Sequence, residues 1–186
     1  MVVELIVGVI VVIIAIIVLW LILTYNGFIQ LRNRIDNAWS QIDVQLKKRF
    51  DLIPNLVETV KGYAKYEKET FKTITEARTR MMNARSVRDT AEAENMLTGA
   101  LKTLFAVSEN YPQLKANQNF MMLQEEISGI ETKIAYARQF YNDEVLKINT
   151  KAESFPDSLI ASVFGFKKRD YFEVADAEKS SVKVNL

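Results

Sequence analysis

Four carboxylates, Glu58, Glu125, Glu126 and Glu131, come nearest to a chemical constellation in this sequence. Glutamates set across a helical bundle can hold a di-iron centre, but such centres also take a Glu-x-x-His pair from each of two helices. The chain contains no histidine. The same count removes an imidazole general base, a Ser-His or Cys-His nucleophile and the commonest metal ligand. Cysteine is absent as well, so no disulfide framework exists; this suits a reducing compartment. Gly27, Gly62, Gly99, Gly129 and Gly165 stand alone, so no glycine-rich phosphate loop is formed. The carboxylates are read as solvated helix faces with i,i+4 charge pairs. No catalytic residue, cofactor, metal or small-molecule substrate is expected.

Two short basic clusters remain, Lys47-Lys48-Arg49 and Lys167-Lys168-Arg169. Each reads either as a solvated helix end favoured by the helix dipole or as a point of attraction to anionic lipid. The second fits lipid better because an apolar helix precedes it. Overall the charges balance, with 24 Lys+Arg against 23 Asp+Glu. A nucleic-acid partner is therefore not expected, since such proteins carry a basic surplus on one face.

The elements that position these residues are helical. Six glycines and three prolines in 186 residues leave room for long helices and little for a many-turned β fold. Leu5 to Leu23 is an unbroken apolar run without a charge. At 1.5 Å per residue it reaches about 28 Å, close to the ~30 Å hydrocarbon core. Its Val and Ile content would suit a strand in water, but in lipid the backbone must satisfy itself, which favours helix. Trp20 and Tyr25 stand where an interfacial aromatic belt is expected. The run is too long for a cleaved signal core and lacks both a basic leader and an A-x-A-like site, so an uncleaved anchor is expected. Arg32 and Arg34 follow the span and no Lys or Arg precedes it. The positive-inside rule then places the N-terminus outside and the rest in the cytoplasm.

Beyond the span the apolar spacing stays helical. Phe28, Leu31, Ile35, Ala38, Trp39, Ile42 and Leu46 form a stripe on a first helix, continuous with the anchor and bending, if anywhere, at Gly27. A second helix is expected from near Pro54, since proline is tolerated in a first turn. Leu56, Val57, Val60, Ala64, Phe71, Ile74, Ala77 and Met81 mark its buried side, and a loop near Arg85-Ser86 ends it. Asp89 with Glu92 reads as a capping box opening a third helix, which buries Leu97, Leu101, Leu104 and Val107 and stops at Pro112. Along a fourth helix, 118–153, Phe120, Ile127, Ile134, Tyr141 and Ile148 lie seven apart, with Leu123, Ile130 and Ala137 beside them. That is a coiled-coil-like seam. A short apolar helix with Leu159, Ile160, Val163, Phe164 and Phe166 follows Pro156, and the tail could end in an extended VKVNL. The expected fold class is all-α: a transmembrane helix running into an antiparallel four-helix bundle, then a short C-terminal helix. The expected divisions are an anchor at 1–27, the bundle at 28–155, and the short helix with its tail at 156–186.

The runs AWSQIDVQLKKRFDLIPNLVETVKGYAKYE (38–67), ENYPQLKANQNFMMLQEEISGIETKIAYARQFYNDEV (109–145) and FPDSLIASVFGF (155–166) resemble the LemA family. So does the order of anchor, Tyr25-Asn26, bundle and valine-rich tail. The resemblance implies a bacterial or archaeal membrane protein with a helical bundle domain. It implies no enzyme activity, because the family's molecular function is unsettled; magnetosome-associated relatives within it point to membrane organisation. Tyr111-Pro112 and the stretch Ala137 to Asn142 read as caps and a core network, with a functional surface as the alternative.

Two classes of function follow. One is a scaffold or adaptor in the inner membrane. Its partners would be the bilayer, further copies of itself and an unidentified protein. Self-association is suggested by unequal helices, about 33 Å for 28–49 against about 54 Å for 118–153. The other is a regulatory helper of a membrane enzyme such as a protease or sensor. An enzyme working through carboxylates alone is the weakest reading.

Overall fold

The computed structural model describes residues 1–173. The expected extended end at 182–186 lies outside them. Six helices follow in order: α1 (Val2–Lys61), α2 (Lys68–Asn83), α3 (Val87–Ser108), α4 (Pro112–Lys115), α5 (Gln118–Glu153) and α6 (Asp157–Phe164). No strand occurs among the described residues. The fold is all-helical, with one long apolar N-terminal helix.

The expected helix start at Pro54 is incorrect. α1 runs through Pro54 without a break and ends at Lys61. Proline removes one backbone donor and normally disrupts a helix interior. Here Ile53, Leu56 and Val60 flank it and are wholly buried, and packing of that face outweighs the local penalty. The chain leaves the helix at Gly62 instead, beside the polar stretch 65–69. As expected, the anchor-side helix continues through Gly27 into the following stripe as one helix.

The cap of α3 also differs. Ser86 is the N-cap, and its Oγ accepts from the Asp89 backbone N–H at 3.0 Å. Asp89 reaches back to accept from the Arg85 N–H at 3.5 Å. The reciprocal pair is thus Ser86 with Asp89, three residues before the expected one. A hydroxyl acceptor on an extended residue satisfies an orphan donor that an Asp89 already inside the helix cannot. The Ser86 hydroxyl holds the Asp89 carboxyl below its ordinary value, with the Arg85 N–H adding to the effect. α3 closes at Ser108, and Pro112 opens α4 rather than ending α3. α5 has the expected bounds, and Asn117 Oδ1 caps it by accepting from the Phe120 N–H at 3.0 Å.

The chain divides into two compact units. One comprises 1–38 and 141–169. Its buried apolar residues are Phe28, Ile35 and Ala38 on α1, Tyr141, Val145 and Ile148 on α5, and Ile160 and Ala161 on α6. The other comprises 39–140 and the tail from Asp170. Its core joins Ile53, Leu56 and Val60 of α1 to Phe71, Ile74 and Ala77 of α2, Leu97, Leu101 and Leu104 of α3, and Phe120 and Ile127 of α5. Full burial of a side chain of this size contributes about 1.5–3 kcal/mol. In the same unit Phe172 is fully buried, its ring 6.2 Å from Trp39 and beneath the Arg138 guanidinium at 5.8 Å.

Candidate functional site

The second unit holds its strongest polar feature in its interior. Arg49 has no exposed surface, and its guanidinium donates to Glu94 through Nη2 and to both Glu131 and Thr98 through Nη1. Thr98 Oγ1 passes a further hydrogen bond to Glu131 Oε1 at 3.1 Å. Glu94 is as buried as Arg49, whereas Glu131 is one-third exposed. Burial pushes the Glu94 carboxyl up, against the pull of Arg49; Glu131 adds to the rise and Arg138 opposes it. Glu94 Oε1 and Arg49 Nε are buried without a hydrogen-bond partner among the described residues.

Local sequence places these groups inward. On α1, Ile42, Leu46, Arg49, Ile53, Leu56 and Val60 follow one another in steps of three and four, so Arg49 occupies an apolar row. On α3, Glu94 and Thr98 lie in the row of Leu97, Leu101 and Leu104. The expectation that Lys47-Lys48-Arg49 forms one solvated or lipid-facing cluster therefore fails for Arg49. Its neighbours Lys47 and Lys48 are exposed, but Arg49 projects about 100° away per residue step, into the core.

The four sequence candidates are not brought together. Glu58, Glu125 and Glu126 are exposed, and only Glu131 enters the charged network. No group of three or more metal-ligating side chains occurs among the described residues. Glu94 was missed by sequence; its signal is a carboxylate standing in a leucine row. A recess of about 230 Å³ opens beside the network, lined by Thr98, Leu101, Phe105, Ile127, Ser128 and Glu131 among others. A larger open groove, about 550 Å³, lies over Trp39, Phe50, Met81 and Val87. The network itself is an arginine held by two carboxylates, an arrangement suited to fixing which helix faces meet.

The other unit carries apolar surface. From Val2 to Leu23 the side chains of α1 are almost all exposed, and the most apolar 18-residue window is 0% buried. The sequence pattern of the LemA family matches residues 38–186. The chain belongs to the LemA family.

Within that family, it is similar to Protein LemA of Metamycoplasma hominis, 29% identical over 163 residues, covering 85% of this chain and 70% of the relative. It is also similar to Magnetosome protein MamQ 2 of Paramagnetospirillum magneticum, 23% identical over 179 residues, with 82% of this chain and 66% of the relative covered. Magnetosome protein MamQ of Magnetospirillum gryphiswaldense is 21% identical over 178 residues, with coverage of 82% and 65%. The chain spans about two thirds of the length of these magnetosome relatives. The matched segment of this LemA-family chain starts at Ala38 and includes Arg49, Glu94 and Glu131. The long apolar run lies before it.

Proposed function

We propose that this LemA-family chain is a single-pass membrane protein that acts as a non-catalytic scaffold or adaptor and self-associates. One observation carries the reading: an apolar helical run long enough to span a bilayer, uncovered by any other part of the described chain, and continuous with a helix that enters a packed core. Lipid is the natural cover for such a surface. The bilayer is the inner membrane, with the N-terminus outside and the helical part in the cytoplasm; Arg32 and Arg34 after the span support this direction. The four long helices form an antiparallel bundle in this reading, supported by the buried seam of Phe120, Ile127, Ile134, Tyr141 and Ile148 on α5. Relatives bearing magnetosome names support a part in organising a subcellular structure.

Self-association would take cyclic symmetry, because every copy must enter the bilayer in the same direction. Native mass measurement of the full chain in mild detergent tests the scaffold. A defined oligomer is expected. A monomer that co-purifies stoichiometrically with a membrane protease or sensor would replace this reading with that of a regulatory helper.

A further inference from the structure

α6 is held against α1 at the point where the apolar run ends. Thr24, one residue after that run, donates to Asp157 Oδ1 at 3.4 Å. The Tyr25 ring meets Phe164 edge-on at 4.9 Å, and Phe28 stacks on Phe166 at 4.6 Å. Lys151 bonds Asp157 at 3.0 Å and lies over the Phe28 ring. It passes Gly27 so closely that a Cβ there would stand 3.3 Å from its Nζ. Ile160 and Ala161 are buried, so the inner face of α6 is satisfied.

The remaining apolar face of α6 is not. Phe155 is 83% exposed, Leu159 56%, Val163 77% and Phe164 56%. Leu159 and Val163 lie one turn apart on α6 with Phe164 beside them, and Phe155 stands in the turn just before the helix. Single exposed apolar residues are ordinary, but exposed apolar residues grouped at one helix mark a contact surface. Gly165, at φ 72°, then reverses the chain, and the Phe166 N–H bonds back to Ala161. The basic stretch follows at once. Asn149 clamps the Arg169 backbone from both sides, accepting its N–H at 2.8 Å and donating to its carbonyl at 3.0 Å. Lys167, Lys168 and Arg169 are exposed; Lys168 pairs with Glu153, and Arg169 Nη2 lies 3.9 Å from Asp36 Oδ1.

We propose that α6 and the turn before it form a second membrane contact: Phe155, Leu159, Val163 and Phe164 enter the headgroup–acyl boundary of the bilayer spanned by residues 5–23, with Lys167 facing anionic headgroups. The proposal rests on that span being the anchor. Two features favour lipid over a second copy. The docking contacts begin within one helical turn of the end of the span, at the depth where an interfacial helix lies. The patch is also small: its aromatics bring at most about 200 Å² each and are partly covered already, against the ~800 Å² per partner of a standard protein interface.

The chain has no cysteine, so single labels can be placed freely. Val163→Cys, Ile14→Cys and Glu126→Cys in the full chain, each carrying a nitroxide, are reconstituted in phosphatidylcholine–phosphatidylglycerol vesicles. Collisions with oxygen, which concentrates in lipid, are compared with collisions with a water-soluble nickel chelate. The expected result is a several-fold loss of nickel accessibility at position 163 relative to 126, with oxygen accessibility equal or higher. Position 163 matching 126 while 14 remains lipid-like would overturn the proposal and leave the anchor standing. Protection of 163 from both reagents with spin–spin broadening would assign the patch to a second copy and overturn it too. Water-like behaviour at 14 would remove the anchor, and the proposal with it.

Discussion

Replacing Arg49 isolates one quantity, the cost of an uncompensated buried carboxylate. Arg49→Met keeps much of the volume of a side chain that has no exposed surface, so the change reads charge more than cavity. Glu131, one-third exposed, can turn to water; Glu94, wholly buried, cannot. Breaking a buried pair typically costs about 3–5 kcal/mol. Glu94 has one escape, which is to take up a proton. From its ordinary value of 4.5 to pH 7 that costs about 3.4 kcal/mol, at 1.36 kcal/mol per pH unit. Part of this cost is already present in the native chain, where burial holds the carboxyl up. The expected loss at pH 7 is therefore below about 3.4 kcal/mol. For a chain of this length that lowers Tm by no more than about 14 °C. Thermal unfolding of the full chain in mild detergent, followed by circular dichroism at several pH values, measures it. The deficit should shrink as pH falls toward 4.5, because protonating the unpaired Glu94 then costs progressively less. Adding Glu94→Gln to Arg49→Met should recover most of the loss at pH 7. A pH-independent deficit, or one that Glu94→Gln leaves untouched, would refute the reasoning.

Glu94→Gln alone tests the sign of the linkage. A carboxyl raised in the folded state favours folding at low pH, and that advantage is lost as pH rises from 4.5 through the raised value; the difference between variant and native chain should therefore move in the variant's favour from pH 4 to pH 8, on top of a pH-independent loss from Arg49 giving up a carboxylate, as read by the two melting curves. A chain beginning at Phe28 should leave the membrane pellet after carbonate washing and keep its helical circular dichroism, because the exposed apolar run goes with the deleted residues. Ile134→Asp places a charge at a fully buried seam position and should cost several kcal/mol, visible as loss of cooperative unfolding. Gly165→Ala puts a side chain at φ 72°, a conformation that costs an L-residue about 1–2 kcal/mol, and should lower Tm by a few degrees.

What could be read in advance was whatever repeats. The bounds of α5 followed from five apolar residues in heptads, all of which are buried. The long apolar helix at the N-terminus followed from the uniform character of residues 5–23, where no single residue decides the outcome. Errors arose where one residue was given the weight of a segment. Pro54 reads as a helix start by local rules, yet Ile53 and Leu56 bury around it and the helix continues. Asp89 reads as a cap, but Ser86 lies one turn earlier with an extended backbone and a hydroxyl that accepts the Asp89 N–H itself.

The charged network shows a different limit. Arg49 stands beside Lys47 and Lys48 in the chain, and adjacency groups it with them; helical phase groups it with Leu46 and Ile53. Phase is the physically relevant neighbour relation on a helix, and applied to α3 it singles out Glu94 by the same logic. One charge in an apolar row could be a long side chain reaching out to water. Opposite charges in the apolar rows of two helices are better explained by each other, since each alone would be strongly unfavourable. Such a pair adds little net stability over an apolar equivalent. Its effect is on register: a shift of α1 against α3 that stays tolerable for Ile53 and Leu101 would leave Arg49 and Glu94 unpaired. On that view Arg49, Glu94 and Glu131 select one helix arrangement among several with similar hydrophobic burial. The Arg49→Met/Glu94→Gln chain should then be nearly as stable as the native one yet show broadened or duplicated amide signals by nuclear magnetic resonance in detergent. A single sharp set of signals would mean that apolar packing alone fixes the register.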